Sequence, residues 1–258
     1  MKTIILCGGL GTRIRGVDES VPKPMLRIGT QPILWHIMKY ISMWGHQEFI
    51  LCLGYQGHVI KEFFKNYKFY MTDSTIKLGD SLNPFFHEGH DERDWVVTLS
   101  ETGVQSGTAT RISKIKKYIG EDEDFILTYG DGVANVDVNK LISFHKKNKK
   151  LLTVTGINPP GRFGEIEFDH SNTVTKFHEK PNGNNFISGG YFICDKRIFS
   201  YFDNEDASFE EVIIPRIVED GEMAVYCHDD KWSAMDTYKD YLYLNELYES
   251  GKAFWKIW

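Results

Sequence analysis

Cysteine is scarce and scattered in this chain. The four residues Cys7, Cys52, Cys194 and Cys227 lie far apart, and none belongs to a C-x-x-C pair. Zinc-ribbon and thioredoxin-type sites are excluded on that ground, and free, mostly buried thiols are expected. Long apolar runs are also missing. No stretch approaches the roughly 20 residues that a membrane-crossing helix needs. The opening MKTIILCGGLGTRIRG lacks both the apolar length and the small-residue cleavage site of a secretion signal. The expected location is therefore cytoplasmic, with no membrane partner. Nor is there an excess of positive charge. Lys and Arg number 30 against 36 Asp and Glu, for a net charge of −6. That argues against binding nucleic acid through a general basic surface, while leaving room for a local basic pocket.

What remains is a globular composition. The chain has 258 residues, 41% of them hydrophobic and 26% charged. A chain of this length buries about three quarters of its unfolded surface and needs no disulfide or metal to fold. No repeat or linker is visible. One domain over 1–258 is expected, with a helix-rich, aromatic section from about residue 208.

The apolar patterning gives an α/β order. Thr3 to Cys7 is a short unbroken apolar run, as in a strand buried on both faces of a parallel sheet. Apolar residues at Ile33, Ile37, Ile41 and Trp44 predict a helix from about Pro32 to Trp44. A strand over Glu48–Leu53, ending at Gly54, and a helix over Gly57–Tyr67 follow. Residues 68–95 break the rhythm and read as an insertion or irregular hairpin. Further strands are predicted over Trp95–Leu99, Asp124–Tyr129 and Leu151–Ile157. Phe186–Cys194 reads as a strand interrupted at Gly189-Gly190. Helices are predicted over Ala109–Tyr118 and Asn139–Asn148, and a hairpin over Gly164–Phe168 and Thr173–Phe177. This alternation argues for a doubly wound fold.

The chemistry concentrates where strands end. Gly8-Gly9-Leu10-Gly11-Thr12-Arg13 directly follows the first strand. It is neither a G-x-G-x-x-G fingerprint nor a G-K-[ST] P-loop. A plain tight turn and a phosphate cradle both fit the glycines. Thr12, Arg13 and Arg15 follow at once, and Lys23 stands between Pro22 and Pro24, so cations suited to a polyphosphate gather there. Asp131 lies between Gly130 and Gly132 at a strand end and suits either a ligand site or an Asx turn. Asp236 precedes a helix and suits either a site or an N-cap. His87, His90, Asp91 and Glu92 form a local cluster that reads as surface loop, since a third metal ligand is lacking.

The run GGLGTR followed by PKPML is similar to the signature of the sugar nucleotidyltransferases, or nucleoside-diphosphate-sugar pyrophosphorylases. Pro32–Lys39, Tyr129–Val133, Pro159–Gly164, Glu179-Lys180-Pro181, Met235-Asp236-Thr237 and the tail Gly251–Trp258 extend the likeness over the whole chain. Within the family it resembles the cytidylyltransferase branch that makes CDP-glucose from CTP and glucose 1-phosphate. The resemblance implies a Rossmann-like nucleotidyltransferase fold with a mostly parallel central sheet, a β insertion and a helical C-terminal section. It further implies a Mg²⁺-dependent enzyme that assembles as a homo-oligomer. Arg13 and Lys23 become the catalytic cations. Leu6, Gly8, Gly9, Gly11, Thr12, Ser106, Thr108, Arg111 and Asp131 join them around the nucleotide, and Asp131 and Asp236 hold the metal. Tyr129, Gly164, Glu179, Lys180, Ser188 and Gly189 face the acceptor.

Some positions depart from the family pattern. Ala109-Thr110 stands where a glycine pair precedes the arginine, and Arg111 could instead be a solvated helix-start residue. Ser188 replaces an asparagine, Ser233-Ala234 replaces Gln-Pro, and Ser208–Pro215 replaces a Trp-Glu-x-Glu-Pro-Leu run. The last three lie on the acceptor side. A different small phosphorylated acceptor, sugar or not, is therefore the second reading. A non-catalytic sensor is disfavoured because the carboxylates are retained. The C-terminal residues Tyr241, Tyr243, Leu244, Leu247, Tyr248, Phe254, Trp255 and Trp258 suit either an oligomer interface or packing within the chain.

Overall fold

The computed structural model describes residues 1–9, 20–87, 89–158, 165–168, 170–171, 173–178, 186–203 and 206–258. Seven strands form the central sheet: β1 (Thr3–Leu6), β2 (Glu48–Leu53), β3 (Val96–Glu101), β4 (Asp124–Tyr129), β5 (Leu152–Ile157), β6 (Ile187–Asp195) and β7 (Met223–His228). Their order is β7-β5-β6-β4-β1-β2-β3. Neighbours run parallel except at β6, which is antiparallel to both β5 and β4. The expected Rossmann-like, mostly parallel sheet is what the chain forms.

Successive side chains of a strand point to opposite faces, and the core divides accordingly. Ile5, Leu51, Leu53 and Ile126 join one buried cluster, together with helix α1 (Ile33–Ser42). Ile4, Leu6, Ile50, Phe125 and Leu127 join the other, under helix α2 (Thr108–Lys114). Both faces of β1 are covered, which is why its sequence shows no polar alternation. Helix α3 (Val138–Asn148) adds Val138 and Leu141 to the first cluster.

The sheet order creates a switch point. From β1 the chain moves outward through β2 to β3, then returns to place β4 on the other side of β1. Ligands of open α/β sheets bind beyond the strand ends at such a point. The residues just after β1 are Cys7, Gly8 and Gly9, and those after β4 are Gly130 and Asp131.

Several expectations change in detail. The helix expected over Ala109–Tyr118 is two pieces, α2 and Lys116–Ile119. The helix expected over Gly57–Tyr67 ends at Lys65, and a second short helix covers Tyr67–Met71. Gly189-Gly190 does not interrupt β6; the strand runs through it, and the pairing with β5 shifts register between Val154 and Gly156. The section after 208 holds the expected helices, over Phe209–Ile213, Ile214–Glu219 and α4 (Tyr238–Glu249), and between them it also contributes the edge strand β7 and the short strand Trp232–Ala234. Of the two readings for 68–95, insertion or irregular hairpin, a hairpin forms there, Ser74–Lys77 with Asp80–Phe86, and the predicted second hairpin forms as Glu165–Phe168 with Val174–His178.

The C-terminal aromatics pack within the chain. Leu244 and Trp255 are fully buried, and the Trp255 ring meets His36 of α1 edge-on at 6.1 Å. Tyr248 meets the His36 ring at 5.5 Å. Leu242 and Tyr243 remain exposed. Cys7, Cys52 and Cys194 are buried free thiols, and Cys227 is exposed. The His87–Glu92 segment is not all surface. Glu92 is buried and its carboxylate accepts from Lys39 Nζ at 2.6 Å. Among the described residues no group of three or more His, Cys, Asp and Glu could hold a metal alone, and no helix is long and apolar enough to cross a membrane.

Candidate functional site

Three residues far apart in sequence meet beyond the switch point. Lys23 Nζ donates to Asp131 Oδ2 at 2.6 Å and to Asp236 Oδ1 at 2.8 Å. Each is placed by local structure. Lys23 opens a single 3₁₀ turn, Lys23–Met25, behind Pro22 in extended conformation, and Pro24 packs against Gly130. The flanking prolines limit the backbone that presents the ammonium. Asp131 and Asp236 are brought together by a two-stranded ladder, Gly132–Ala134 against Trp232–Ala234, closed by the Met235 N–H on the Asp131 carbonyl at 2.9 Å.

The alternative role for Asp236 falls to its neighbour. Thr237 is the N-cap of α4, and with Asp240 it forms a reciprocal capping box. Asp240 also accepts from the Asp236 N–H at 3.1 Å. Asp236 keeps its carboxylate for Lys23, and Asp131 likewise directs its own across the site.

Lys23 carries opposing influences. Burial disfavours its charge, but the attraction of Asp131 and hydrogen bonds to both aspartates outweigh burial, so its pKa lies above the ordinary lysine value. Both carboxylates aim at one point occupied by a cationic group. Two hard oxygen donors, with phosphate oxygens and water to complete the shell, form a donor set that suits magnesium. The residues present fit such an ion.

Arg111 is not the solvated helix-start residue that its sequence context allowed. It is 4% exposed. Its guanidinium donates to the carbonyls of Gly8 (3.0 Å), Leu53 (3.1 Å) and Val104 (3.2 Å) and to the Thr102 hydroxyl (2.9 Å). Burial lowers its pKa from the usual arginine value. A Cβ on Gly8 would lie 2.1 Å from the guanidinium, so this glycine is required by close approach. Arg111 thus ties the glycine turn to the ends of β2 and β3.

A cleft of about 500 Å³ opens beside these groups. Leu6, Gly8 and Gly9 line one wall, residues 104–108 another, and Tyr129 and Asp131 the floor. Ser106 is held by the Thr102 carbonyl at 2.7 Å. Thr108 Oγ1 donates to Glu210 at 2.5 Å and accepts from the Phe209 N–H at 2.8 Å. Tyr129 Oη donates to the other oxygen of Glu210, and burial together with Glu210 raises the Tyr129 pKa. A second cleft of about 540 Å³ lies behind this pair, lined mainly by apolar residues such as Val154, Phe186 and Ile187, with Ser188. Tyr129 and Glu210 belong to both clefts. Ser188 Oγ accepts from the Gly190 N–H at 3.4 Å, and the Gly189 carbonyl accepts from Trp232 Nε1 at 2.7 Å.

The nucleotide-side candidates Leu6, Gly8, Gly9, Ser106, Thr108, Arg111 and Asp131 thus line one cleft, and Lys23 and Asp236 join it through the ion pairs that Lys23 makes with Asp131 and Asp236. Tyr129 and Ser188 border the second. Gly11, Thr12, Arg13, Gly164, Glu179 and Lys180 lie outside the described residues. Sequence reasoning missed Glu210 as a wall between the clefts and Thr237–Asp240 as the support of Asp236. The T-x-x-D spacing of a capping box was the available signal for the second. A larger cleft of about 720 Å³, lined by residues such as Lys65, Tyr67, Arg93 and Trp95, contains none of these candidates.

Comparison with known proteins shows the family. Residues 2–251 match the nucleotidyl transferase family model. The chain is 42% identical over 259 aligned positions to the glucose-1-phosphate cytidylyltransferase of Salmonella typhimurium, covering all of both chains. Identity is again 42%, over the full length of both, to the probable glucose-1-phosphate cytidylyltransferase of Bacillus subtilis. The crystal structure of HddC from Yersinia pseudotuberculosis superposes with a TM-score of 0.69 at 25% identity, covering 96% of this chain and 99% of that one. The switch-point cleft, the Lys23–Asp131–Asp236 cluster and these full-length likenesses lead to one conclusion: the chain belongs to the nucleotidyl transferase family.

Proposed function

We propose that this enzyme joins CTP and glucose 1-phosphate to give CDP-glucose and pyrophosphate. The observation that carries the reading is the 42% identity, over the full length of both chains, to proteins named for that reaction. The cleft chemistry supports it. A phosphate monoester has a second pKa of about 6 and is already largely ionised near neutral pH. It needs no strong base. What it needs is alignment with the nucleotide α-phosphorus and compensation of the charge that gathers there.

In this reading the turn at Gly8 and Gly9 lets the backbone approach the polyphosphate, with Arg111 holding that turn in place. Lys23 pairs with phosphate oxygens, and Arg13 adds a second cation from the glycine loop. Asp131 and Asp236 would hold a divalent ion, which we take to be Mg²⁺; when bound it supplies charge neutralisation at the phosphates. Tyr129, Gly164, Glu179, Lys180, Ser188 and Gly189 face the acceptor. The chain acts as one nucleotidyltransferase domain, since Lys23, Asp131 and Asp236 come from its start, middle and end. Cytoplasmic location and self-association belong to the same reading. A sedimentation mass of one chain at micromolar concentration contradicts the latter.

A second reading keeps the reaction and changes the acceptor. The cleft behind Tyr129 and Glu210 is lined mainly by apolar side chains, whereas recognition of a sugar rests on hydrogen bonds to hydroxyls. A pyrophosphate-release screen separates the readings: four nucleoside triphosphates crossed with a panel of phosphorylated acceptors, with and without Mg²⁺. CTP with glucose 1-phosphate is expected to react fastest. Equal turnover with UTP removes the cytidylyl assignment. Release from a different phosphorylated metabolite, with none from glucose 1-phosphate, establishes the second reading.

A further inference from the structure

We infer that Lys23 occupies the metal position in the nucleotide-free protein, so that a divalent ion is admitted only once a polyphosphate has drawn the ammonium away. The inference rests on the reading of Asp131 and Asp236 as the metal-holding pair. One ammonium bridges both carboxylates at 2.6 and 2.8 Å. A magnesium ion would take the same oxygens at about 2.0–2.1 Å. Two cationic centres within bonding distance of the same two oxygens exclude each other, by contact and by repulsion.

Charge counts in the same direction. Two carboxylates and one ammonium leave a net charge of −1 in the cluster, against −2 when the ammonium departs. A divalent ion binds more weakly to the first arrangement. The ammonium is well held: the Lys23 side chain is 14% exposed, and its turn is fixed by the Met25 N–H on the Pro22 carbonyl at 2.7 Å. The four-carbon stem can nonetheless swing without moving that turn. A nucleoside triphosphate carries more negative charge than the two carboxylates together and enters a cleft that shares Asp131. It can therefore compete for Lys23 and leave the carboxylates to the metal. Nucleotide and metal then bind together, and the free protein holds little metal.

Manganese titration of the full chain without nucleotide, followed by electron paramagnetic resonance of free Mn²⁺, tests this. The wild-type protein should bind Mn²⁺ weakly. Lys23→Met and Lys23→Gln should each bind it at least about tenfold more tightly, well within the roughly 10³-fold that one unit charge at about 4 Å and an effective dielectric of about 20 corresponds to. Lys23→Arg, which keeps the charge, should resemble wild type. Asp131→Asn in the Lys23→Met background should abolish the gain. The inference is overturned if folded Lys23→Met and Lys23→Gln bind Mn²⁺ no more tightly than wild type. It is also overturned if wild type itself shows a micromolar Mn²⁺ site that Asp131→Asn removes. No substrate enters this titration, so its failure leaves the pyrophosphate-release result standing, and the reverse also holds.

Discussion

His36 shows how one buried polar side chain ties stability to pH. It is 1% exposed on α1, and its neighbours satisfy a single neutral form. Nε2 lies 2.9 Å from the Ile28 carbonyl and Nδ1 lies 3.4 Å from Trp255 Nε1. Nε2 must then carry the proton, while Nδ1 accepts from the indole. Burial pushes the His36 pKa down to about 4, against the pull of the Ile28 carbonyl, with Lys256 adding to the depression. An unfolded histidine titrates near 6.5, so between about pH 6.5 and 4 the unfolded state binds the extra proton. Stability from this group is present above pH 6.5 and lost as pH falls toward 4, on the order of 3 kcal/mol at most. Melting temperatures of wild type and His36→Gln, compared from pH 7 to 4.5, should show the steeper fall in wild type. Parallel curves would contradict the assignment. In the sequence His36 lies inside the predicted Pro32–Trp44 helix, and nothing local marks it as a buried polar group. Only the return of Trp255 and Tyr248 from the far end of the chain encloses it.

At the scale of elements, helix α4 connects stability to the site. Its capping residue Thr237 and its N3 residue Asp240 exchange hydrogen bonds, and Asp240 also accepts from the Asp236 N–H. Thr237→Ala should cost about 1 kcal/mol, or roughly 2–4 °C in melting temperature for a chain of this size. Asp240→Ala should destabilise similarly and also loosen Asp236. Its turnover should fall by tenfold or more, since small misplacements beside a reacting centre cost up to about 10²-fold. Equal turnover in the two variants would show that Asp240 does not position Asp236. The elements themselves were largely legible. The buried strand β1 is written as an unbroken apolar run, β5 as an apolar and β-branched stretch, and α1 as a helical stripe. β7 was not legible although Met223–Cys227 is a run of five apolar residues, because a run that short fits a helix segment as well as a strand and it stands in a section read as helix-rich. Its residues are mostly half-exposed or exposed, as at a sheet edge. The break between α2 and Lys116–Ile119 left no proline or glycine to signal it.

At the scale of the molecule, the fold brings residues 23, 131 and 236 to one point through the strand order and one short ladder. The sequence named all three residues, because the glycine turn, the proline-flanked lysine and the two aspartates are local motifs. Local pattern could not show their mutual contact, which only the family resemblance implied for the two aspartates, since it depends on Trp232–Ala234 pairing with Gly132–Ala134 across more than a third of the chain. The burial of Arg111 against the Gly8 carbonyl was equally hidden, because the glycine that makes room for it lies after a different strand.

The most direct test of the account is phosphorus NMR of a reaction holding CTP, glucose 1-phosphate and Mg²⁺, run with wild type, Asp131→Asn and Asp236→Asn. Wild type should yield the paired diphosphate resonances of CDP-glucose together with pyrophosphate. Each asparagine variant should lose about 10²–10³-fold or more in rate, as on removal of one electrostatic stabiliser from a reacting phosphate, while keeping the wild-type circular dichroism spectrum. Near-normal product formation by either folded variant, or pyrophosphate without CDP-glucose from wild type, would contradict it.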